Sequence, residues 1–221
     1  MQITARVSVS EAARARHGAL GVFDEAGIDY CCRGAASLQD AADDAGLDVY
    51  DLIAKLSTLE EQSEAPLNAI VRELIDDHRR CIGNQIPLVR AAIEKAMIVR
   101  IERLFSRFAA TISGHMSSEE RDLLPHIIQL ELAENGSAPT PPLRISHRVL
   151  GELVEHERLH EQLITMRLLA AEATGTRATI ELREKLATFM RDMNRHMHIE
   201  NNVLYPRAIE IENRLKRLQP A

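Results

Sequence analysis

The sequence predicts an all-α protein in which a small N-terminal helical domain precedes a four-helix bundle. Gly and Pro are sparse, at 10 and 8 of 221 residues, while Ala, Leu, Glu and Arg are abundant, as in helical proteins. After several short segments, four long stretches carry apolar residues at helical spacing. Together these two observations favour short helices followed by a bundle.

The N-terminal segment contains helix-start signals in quick succession. Ser8 with Glu11 has the spacing of a capping box before AARARHGALGVF, and Ser37 with Asp40 repeats it before AADDAG. Such closely spaced signals leave room only for short helices. We therefore predict an N-terminal helical domain over residues 1–60.

A polar stretch with one proline, EQSEAPL at residues 61–67, is typical of a linker. The bundle is predicted over residues 68–216. Its helices are predicted at about 68–97, 100–134, 146–173 and 178–215. The segments GSAPTPPLRI and TGTRA mark the two clear breaks between them.

Two features of the first long helix are unusual. Pro87 falls inside it and predicts a kink, because proline lacks the N–H of one helical hydrogen bond. Between Pro87 and Gly114 no breaker marks the turn to the second helix. The alternative is that these two helices continue as one rod, which would favour an exchanged homodimer.

Composition excludes several classes of function. The net charge is -6 and no long basic stretch is present, so we expect no nucleic-acid partner. The first 20 residues lack the apolar run of a secretory signal, and no stretch reaches the roughly 20 apolar residues that span a bilayer. We therefore expect a soluble, cytoplasmic protein. Three cysteines, two of them adjacent, do not resemble a disulfide framework.

Histidine and carboxylate residues recur on the predicted bundle helices. The segments HMSSE and HMHIE place a histidine and a glutamate four residues apart, on one helix face. Facing helices of a bundle can bring such side chains to one point, and imidazole with carboxylate suits non-haem iron. These residues are His78, His115, Glu119, His156, His196 and Glu200. The alternative is that the two pairs are ordinary charge pairs on solvated helices.

At this point the residues resemble a known family. DYCCRGAASLQDAADDAGLD is similar to the short cysteine-pair domain of the iron-sulfur cluster repair di-iron proteins. HMSSEERDLLP and HMHIENNVLYPRA resemble the two His-x-x-x-Glu segments of the haemerythrin-like bundle that follows this domain in the family. The resemblance covers essentially the whole chain, and it implies a haemerythrin-like four-helix bundle.

The resemblance also implies roles for the residues. Glu119 and Glu200 become carboxylates that bridge two non-haem irons. The terminal ligands become His78, His115, His156 and His196. The implied function is repair of damaged iron-sulfur proteins in the nitrosative or oxidative stress response, with nitric oxide or oxygen as a small ligand.

The chain departs from the family pattern at one ligand. Another histidine is expected late in the first helix, and Arg100 lies near that place. Its loss leaves three alternatives: an open iron position, a substitute ligand, or a single iron. His160 and Cys81, each one turn from a predicted ligand, are the candidate substitutes. The remaining histidines, His17, His126, His147 and His198, are predicted to be surface or capping residues.

The adjacent cysteines do not suit a structural disulfide. Neighbouring Cα atoms lie about 3.8 Å apart, whereas disulfides prefer about 4.4 to 6.8 Å. A turn near a helix N-terminus, with Arg33 beside it, favours the thiolate. We therefore predict that Cys31 and Cys32 are redox-active or metal-handling thiols on a mobile module. The alternative is a pair of exposed cysteines without a function.

Two other functions remain open at this stage. One is a nitric oxide binding protein that lowers free cytoplasmic nitric oxide, and the other is a haemerythrin-like bundle that binds or senses oxygen. A helical interaction module without metal is the alternative to all three. The sequence makes no prediction of catalytic turnover, of the electron donor or of the oligomeric state.

Overall fold

A computed structural model describes residues 1–63 and 65–218. Helices dominate, and the β pairing within these ranges is confined to isolated bridges, Ser8 with Ser37 and Arg16 with Glu61. The all-α prediction is therefore confirmed. Within the described part of the chain, no helix is both long and apolar enough to cross a membrane.

Contacts divide the chain into two units. The first unit comprises Met1–Pro66 together with Asn194–Pro206. The second unit comprises Leu67–Met193 and the segment from Arg207 onward. Residues 194–206 thus group with the first unit by their contacts, and the predicted domains over residues 1–60 and 68–216 stay a prediction.

The N-terminal segment of the first unit contains short capped helices. They are α1 (Val9–Ala15), α2 (Ala19–Ala26), α3 (Leu38–Ala45) and α4 (Val49–Ser57). Ser8 and Glu11 form the predicted capping box, and the Ser37 side chain accepts a bond from the Asp40 N–H. The stretch AARARHGALGVF is two helices, because Gly18 turns the chain between them with φ 86°.

The second unit holds most of the long helical segments. They are α5 (Leu67–Arg80), π1 (Cys81–Gln85), α6 (Ile86–Ala96), α7 (Val99–Ser118), π2 (Glu119–Leu123), α8 (Leu124–Glu134) and α9 (Ile145–Glu172). The last helical stretch is α10 (Arg177–His198), π3 (Ile199–Leu204) and α11 (Tyr205–Leu218). Phe105, Phe108 and Phe189 form a buried aromatic cluster, with ring centroids 5.8 to 6.2 Å apart.

The unmarked turn between the first two long helices lies at Met97. This residue ends α6 in the left-handed conformation, with φ 54°, and α7 begins at Val99. The single-rod alternative is therefore wrong. No glycine or proline marks the turn, because a methionine adopts the strained conformation that glycine usually takes.

Each π segment precedes a proline, namely Pro87, Pro125 or Pro206. Proline cannot donate the hydrogen bond that the carbonyl four residues earlier requires. The preceding N–H instead reaches a carbonyl five residues back, from Ile86 to Cys81, from Leu124 to Glu119 and from Tyr205 to Glu200. The helix at Pro87 is thus widened by a π segment.

Candidate metal centre

Glu119 is the centre of a buried cluster in the second unit. It begins π2, and His115 lies one turn earlier at the end of α7, so both side chains leave the same helix face. Glu119 Oε2 lies 3.4 Å from Nε2 of His115 and 3.6 Å from Nε2 of His78 on α5. The Nε2 atoms of His115 and His156, on α9, are 2.8 Å apart. Three helices therefore bring four of the sequence-predicted residues together.

Burial makes this arrangement unusual. His78 and Glu119 are 0% exposed, and His156 is 1% exposed. Burying imidazole and carboxylate groups away from water is costly unless they are paired or bind a metal. A charge pair on a solvated helix, which was the alternative interpretation of HMSSE, would leave both side chains in water. That alternative is wrong for His115 and Glu119.

Further carboxylates orient the imidazoles from behind. Nδ1 of His115 lies 3.1 Å from Glu155 and 3.3 Å from Glu152, and Nδ1 of His78 lies 2.9 Å from Glu120. An imidazole that donates its Nδ1 proton to a carboxylate keeps its Nε2 lone pair for a metal. Both Nε2 atoms face Glu119. The donor set therefore fits a metal ion that prefers nitrogen and oxygen ligands.

One of the outer carboxylates, Glu152, is partly buried beside His115. Burial raises the pKa of Glu152, the nearby imidazole of His115 opposes this effect, and the negative charge of Glu155 adds to it. No motif in the sequence indicated Glu120, Glu152 and Glu155. Glu152 lies four residues before His156, while Glu120 and Glu155 are adjacent to Glu119 and His156, and many other glutamates share such spacing.

The second His-x-x-x-Glu pair lies in the first unit. His196 is in the last turn of α10, and Glu200 follows in π3. Their side chains are 1% and 0% exposed, and His196 Nε2 lies 3.2 Å from Glu200 Oε1. The alternative of a solvated charge pair is wrong here too.

The candidate substitutes for the missing imidazole differ in their environments. His160 is half-buried on α9, one turn after His156, and its role as a ligand stays a prediction. Cys81 is fully buried with its sulfur 4.0 Å from the sulfur of Met193, and burial raises its pKa to about 12. Such a thiol remains protonated, which favours an apolar role for Cys81. Arg100 is exposed at the start of α7.

One of the histidines that were predicted to be surface or capping residues is buried. His198 is 3% exposed, and burial lowers its pKa. Its Nδ1 lies 3.0 Å from the carbonyl oxygen of Tyr30. The prediction of a surface or capping role is wrong for His198, because α10 directs it toward the cysteine turn within the first unit.

The turn that carries the two cysteines is anchored through its backbone. Asn202 Nδ2 donates to the carbonyl oxygens of Tyr30 and Cys31, at 3.1 and 3.2 Å, and Asn201 Nδ2 donates to Cys31 at 3.1 Å. At Gly34 an added Cβ would lie 2.7 Å from Asn202 Oδ1, so a larger residue would force the anchoring Asn202 side chain to shift. These bonds anchor the turn to residues 201 and 202 within the first unit, and the predicted mobility of the module stays a prediction.

The thiol chemistry also differs from the prediction. The sulfurs of Cys31 and Cys32 are 3.3 Å apart, and Cys31 is 2% exposed. The contact with Cys32, burial and the Asp29 carboxylate together raise the pKa of Cys31 above its ordinary value. Arg33 forms an exposed ion pair with Asp44 at 3.0 Å. The predicted preference for thiolate is therefore wrong for Cys31.

Comparison with known proteins places this geometry in a family. Residues 69–208 match the family described as "Hemerythrin HHE cation binding domain", and residues 5–60 match "Domain of Unknown function (DUF542)". The iron-sulfur cluster repair protein YtfE of Musicola paradisiaca (strain Ech703) is 30% identical over 225 residues, covering 93% of this chain and 97% of that protein. The chain belongs to the iron-sulfur cluster repair protein family. This membership confirms the resemblance stated from the sequence.

Other members of the family show similar coverage. The proteins of the same name from Pectobacterium carotovorum subsp. carotovorum (strain PC1) and Yersinia pestis (strain Pestoides F) are 30% and 27% identical to this chain. The alignments cover 93% and 86% of this chain, and 97% and 91% of those relatives. The haemerythrin match confirms the predicted helical bundle, and a haemerythrin-like domain implies iron binding.

Proposed function

We propose that this chain is a non-haem di-iron protein that repairs damaged iron-sulfur centres in the nitrosative or oxidative stress response. The observation that supports this most strongly is a buried cluster in which carboxylates contact the Nδ1 atoms of two imidazoles. The cluster consists of His78, His115, Glu119 and His156. Membership of a family whose relatives are named iron-sulfur cluster repair proteins supports the repair role.

We propose that His196 and Glu200 complete the ligand set. The family match from residue 69 to residue 208 includes them in the same cation-binding domain as the four residues of the second unit. Both His-x-x-x-Glu pairs are also followed by a proline six residues after the glutamate, in HMSSEERDLLP and HMHIENNVLYP. In this proposal Glu119 and Glu200 would be the carboxylates that hold both irons.

We propose the histidines as terminal ligands, with His160 as the candidate substitute for the imidazole that Arg100 replaces. When bound, iron would supply coordination positions for nitric oxide or oxygen. The chain supplies the remainder of the chemistry. Glu120 and Glu155 hold the Nδ1 protons of His78 and His115, so that each Nε2 atom keeps its lone pair directed at Glu119.

The partners in this proposal are damaged iron-sulfur proteins, which are the substrates of repair, and one of the two small ligands. Cys31 and Cys32 remain predicted redox-active thiols. A cytoplasmic location stays a prediction.

Metal analysis of the full chain, purified anaerobically from iron-replete cells, tests the proposal. We expect about two irons per chain, and loss of most of this iron in Glu119→Gln. The exposed Glu157 on α9 offers a matched control, because Glu157→Gln makes the same change of charge. The wild-type protein is then mixed with a nitric oxide damaged iron-sulfur protein, whose recovered activity is measured.

Each outcome of this experiment has a meaning. Wild-type protein without iron, or equal iron in both variants, would contradict the proposed site. One iron per chain would mean that the missing imidazole leaves a single position filled. Iron at full content with tight nitric oxide binding, but no recovery of the damaged protein, would support the nitric oxide binding alternative and contradict repair.

A further inference from the structure

A cavity in the second unit carries a charge opposite to that of the whole chain. Its volume is about 680 Å³, within the range of about 300 to 1,000 Å³ found for small-molecule pockets. It lies where the segment before α9 meets α8 and α11. The charged and imidazole side chains that line it are His126, Arg144, His147, Arg148, Glu212 and Lys216. Three permanent cations thus face one carboxylate, although the protein has a net charge of -6.

The two arginines are the cations available to a ligand. Arg144 precedes α9, and Arg148 lies one turn later, so both can face the same side of the helix. No ion pair within 4.0 Å is found for either arginine among residues 1–63 and 65–218, although the charge of Arg148 also acts on Glu152, whose pKa it lowers. An arginine guanidinium presents a rigid fork of donors that matches the oxygens of phosphate.

The single carboxylate of the cavity is already committed to other partners. Glu212 accepts bonds from the Ile145 N–H at 2.7 Å and from the Ser146 hydroxyl, and it pairs with Lys216 at 2.8 Å. Its charge is therefore balanced at the start of α9 and by Lys216. It does not neutralise Arg144 or Arg148.

Another residue that lines the cavity, His126, has a polar atom without a hydrogen-bond partner in the described part of the chain. Nε2 of His126 is buried and forms no hydrogen bond within the described residues. Burial lowers the pKa of His126, the Glu212 carboxylate opposes this effect, and the positive charges of Arg148 and Arg144 add to it. An anion held by the two arginines would oppose the effect of their charges on His126.

We propose that this cavity binds an anion that carries a phosphate group, either free phosphate or a small phosphate ester. Arg144 and Arg148 would hold the phosphate oxygens, and His126 would contribute one hydrogen bond. The inference goes beyond the proposed function, because no predicted iron ligand lines the cavity. We therefore expect phosphate binding at this cavity to be independent of iron.

Titration calorimetry on the full chain at low, fixed ionic strength tests this proposal. The probes are inorganic phosphate, a nucleoside diphosphate and acetate. We expect both phosphate probes to bind, with acetate at least tenfold weaker. Arg144→Gln and Arg148→Gln should each weaken phosphate binding at least tenfold. Arg158→Gln, on the exposed face of α9, removes the same charge outside the cavity and should change the affinity less than twofold.

The two phosphate probes distinguish the sources of the ligand. Similar affinities mean that the site recognises the phosphate group alone, and tighter binding of the nucleoside diphosphate means that the ester fills more of the cavity. No binding of either probe would overturn the proposal. So would an equal loss of affinity in Arg148→Gln and Arg158→Gln, which would indicate attraction to the general surface charge. Circular dichroism of each variant ensures that a loss of binding does not reflect unfolding.

Discussion

Met97 shows how a single residue can set a turn that the sequence does not mark. Among residues 1–63 and 65–218, it is the only residue other than glycine with a positive φ, at 54°. Its side chain is exposed, with a relative exposure of 83%. A left-handed conformation costs an L-residue other than glycine about 1–2 kcal/mol, because Cβ approaches the following carbonyl oxygen. The exposed side chain offers few contacts that could offset this strain.

We therefore predict that Met97→Gly stabilises the protein. Removal of Cβ relieves the strain, while the greater freedom of glycine in the unfolded chain offsets about 0.4–1 kcal/mol of the gain. A net gain of about 0.5–1 kcal/mol is expected, which corresponds to a rise in melting temperature of about 1–4 °C. Thermal unfolding followed by circular dichroism measures this effect.

Met97→Ala is the matched control for this prediction. It removes the same exposed side chain but keeps Cβ, so the melting temperature should stay close to that of the wild type. A lower melting temperature for Met97→Gly than for Met97→Ala would show that the conformation at position 97 is not strained.

At the residue scale, the sequence could predict the inner histidines and glutamates but not the carboxylates behind them. The spacing of His115 and Glu119 is local information, and the structure shows both side chains buried together. The contact between His115 and Glu155 joins positions 40 residues apart. Such a pairing depends on how α9 packs, and no local pattern contains that information.

Helix termini show the same contrast at the scale of elements. The predicted span 146–173 differs from α9 by one residue at each end. The start of α9 is capped by Glu212, 67 positions along the chain, and the start of α5 is capped by Glu131 through the N–H groups of Leu67 and Asn68. Periodicity predicts where a helix lies, but a cap from another helix requires the tertiary fold.

The cap on α9 gives a prediction about pH. Burial alone would raise the pKa of Glu212, but bonds from Lys216, the Ser146 hydroxyl and the Ile145 N–H lower it overall. A depressed pKa in the folded state contributes stability above the unfolded pKa of about 4.3, and this contribution is lost as pH falls through the folded pKa. Glu212→Gln should cost about 1–2 kcal/mol at pH 7.

Urea unfolding of the wild type and Glu212→Gln at several pH values measures this cost. The difference between them should shrink below about pH 4, because the wild-type carboxyl is then protonated too. Glu210→Gln is the control on the same helix, since the Glu210 side chain is 68% exposed and pairs with Arg214 at 3.9 Å. A constant difference from pH 7 to pH 3 would contradict a charged cap.

At the scale of the whole molecule, the sequence predicted the family and the helical bundle, but it did not indicate the contacts that residues 198–202 make with the cysteine turn. The family resemblance rests on motifs that survive in the chain, namely DYCC and the two His-x-x-x-Glu segments. Residues 194–206 join the N-terminal segment because Asn201, Asn202 and His198 contact backbone carbonyls of the cysteine turn. A hydrogen bond that ends on a backbone carbonyl does not depend on the side chain of that residue. The sequence of the cysteine turn therefore gives no sign of these contacts.

This backbone anchoring leads to a prediction for the two thiols. The anchoring bonds end on the carbonyl oxygens of Tyr30 and Cys31, so serine at positions 31 and 32 keeps them. The double variant Cys31→Ser/Cys32→Ser should therefore fold and hold as much iron as the wild type, since neither thiol belongs to the proposed ligand set. If the thiols act in redox or metal-handling steps, repair of a damaged iron-sulfur protein should fall at least tenfold.

Arg33→Gln is the control in the same turn, because its guanidinium pairs with Asp44 at the surface and its loss should leave repair unchanged. Wild-type repair rates in the double variant would assign the cysteines no part in the reaction, whereas a parallel loss of iron and repair would place them in metal retention.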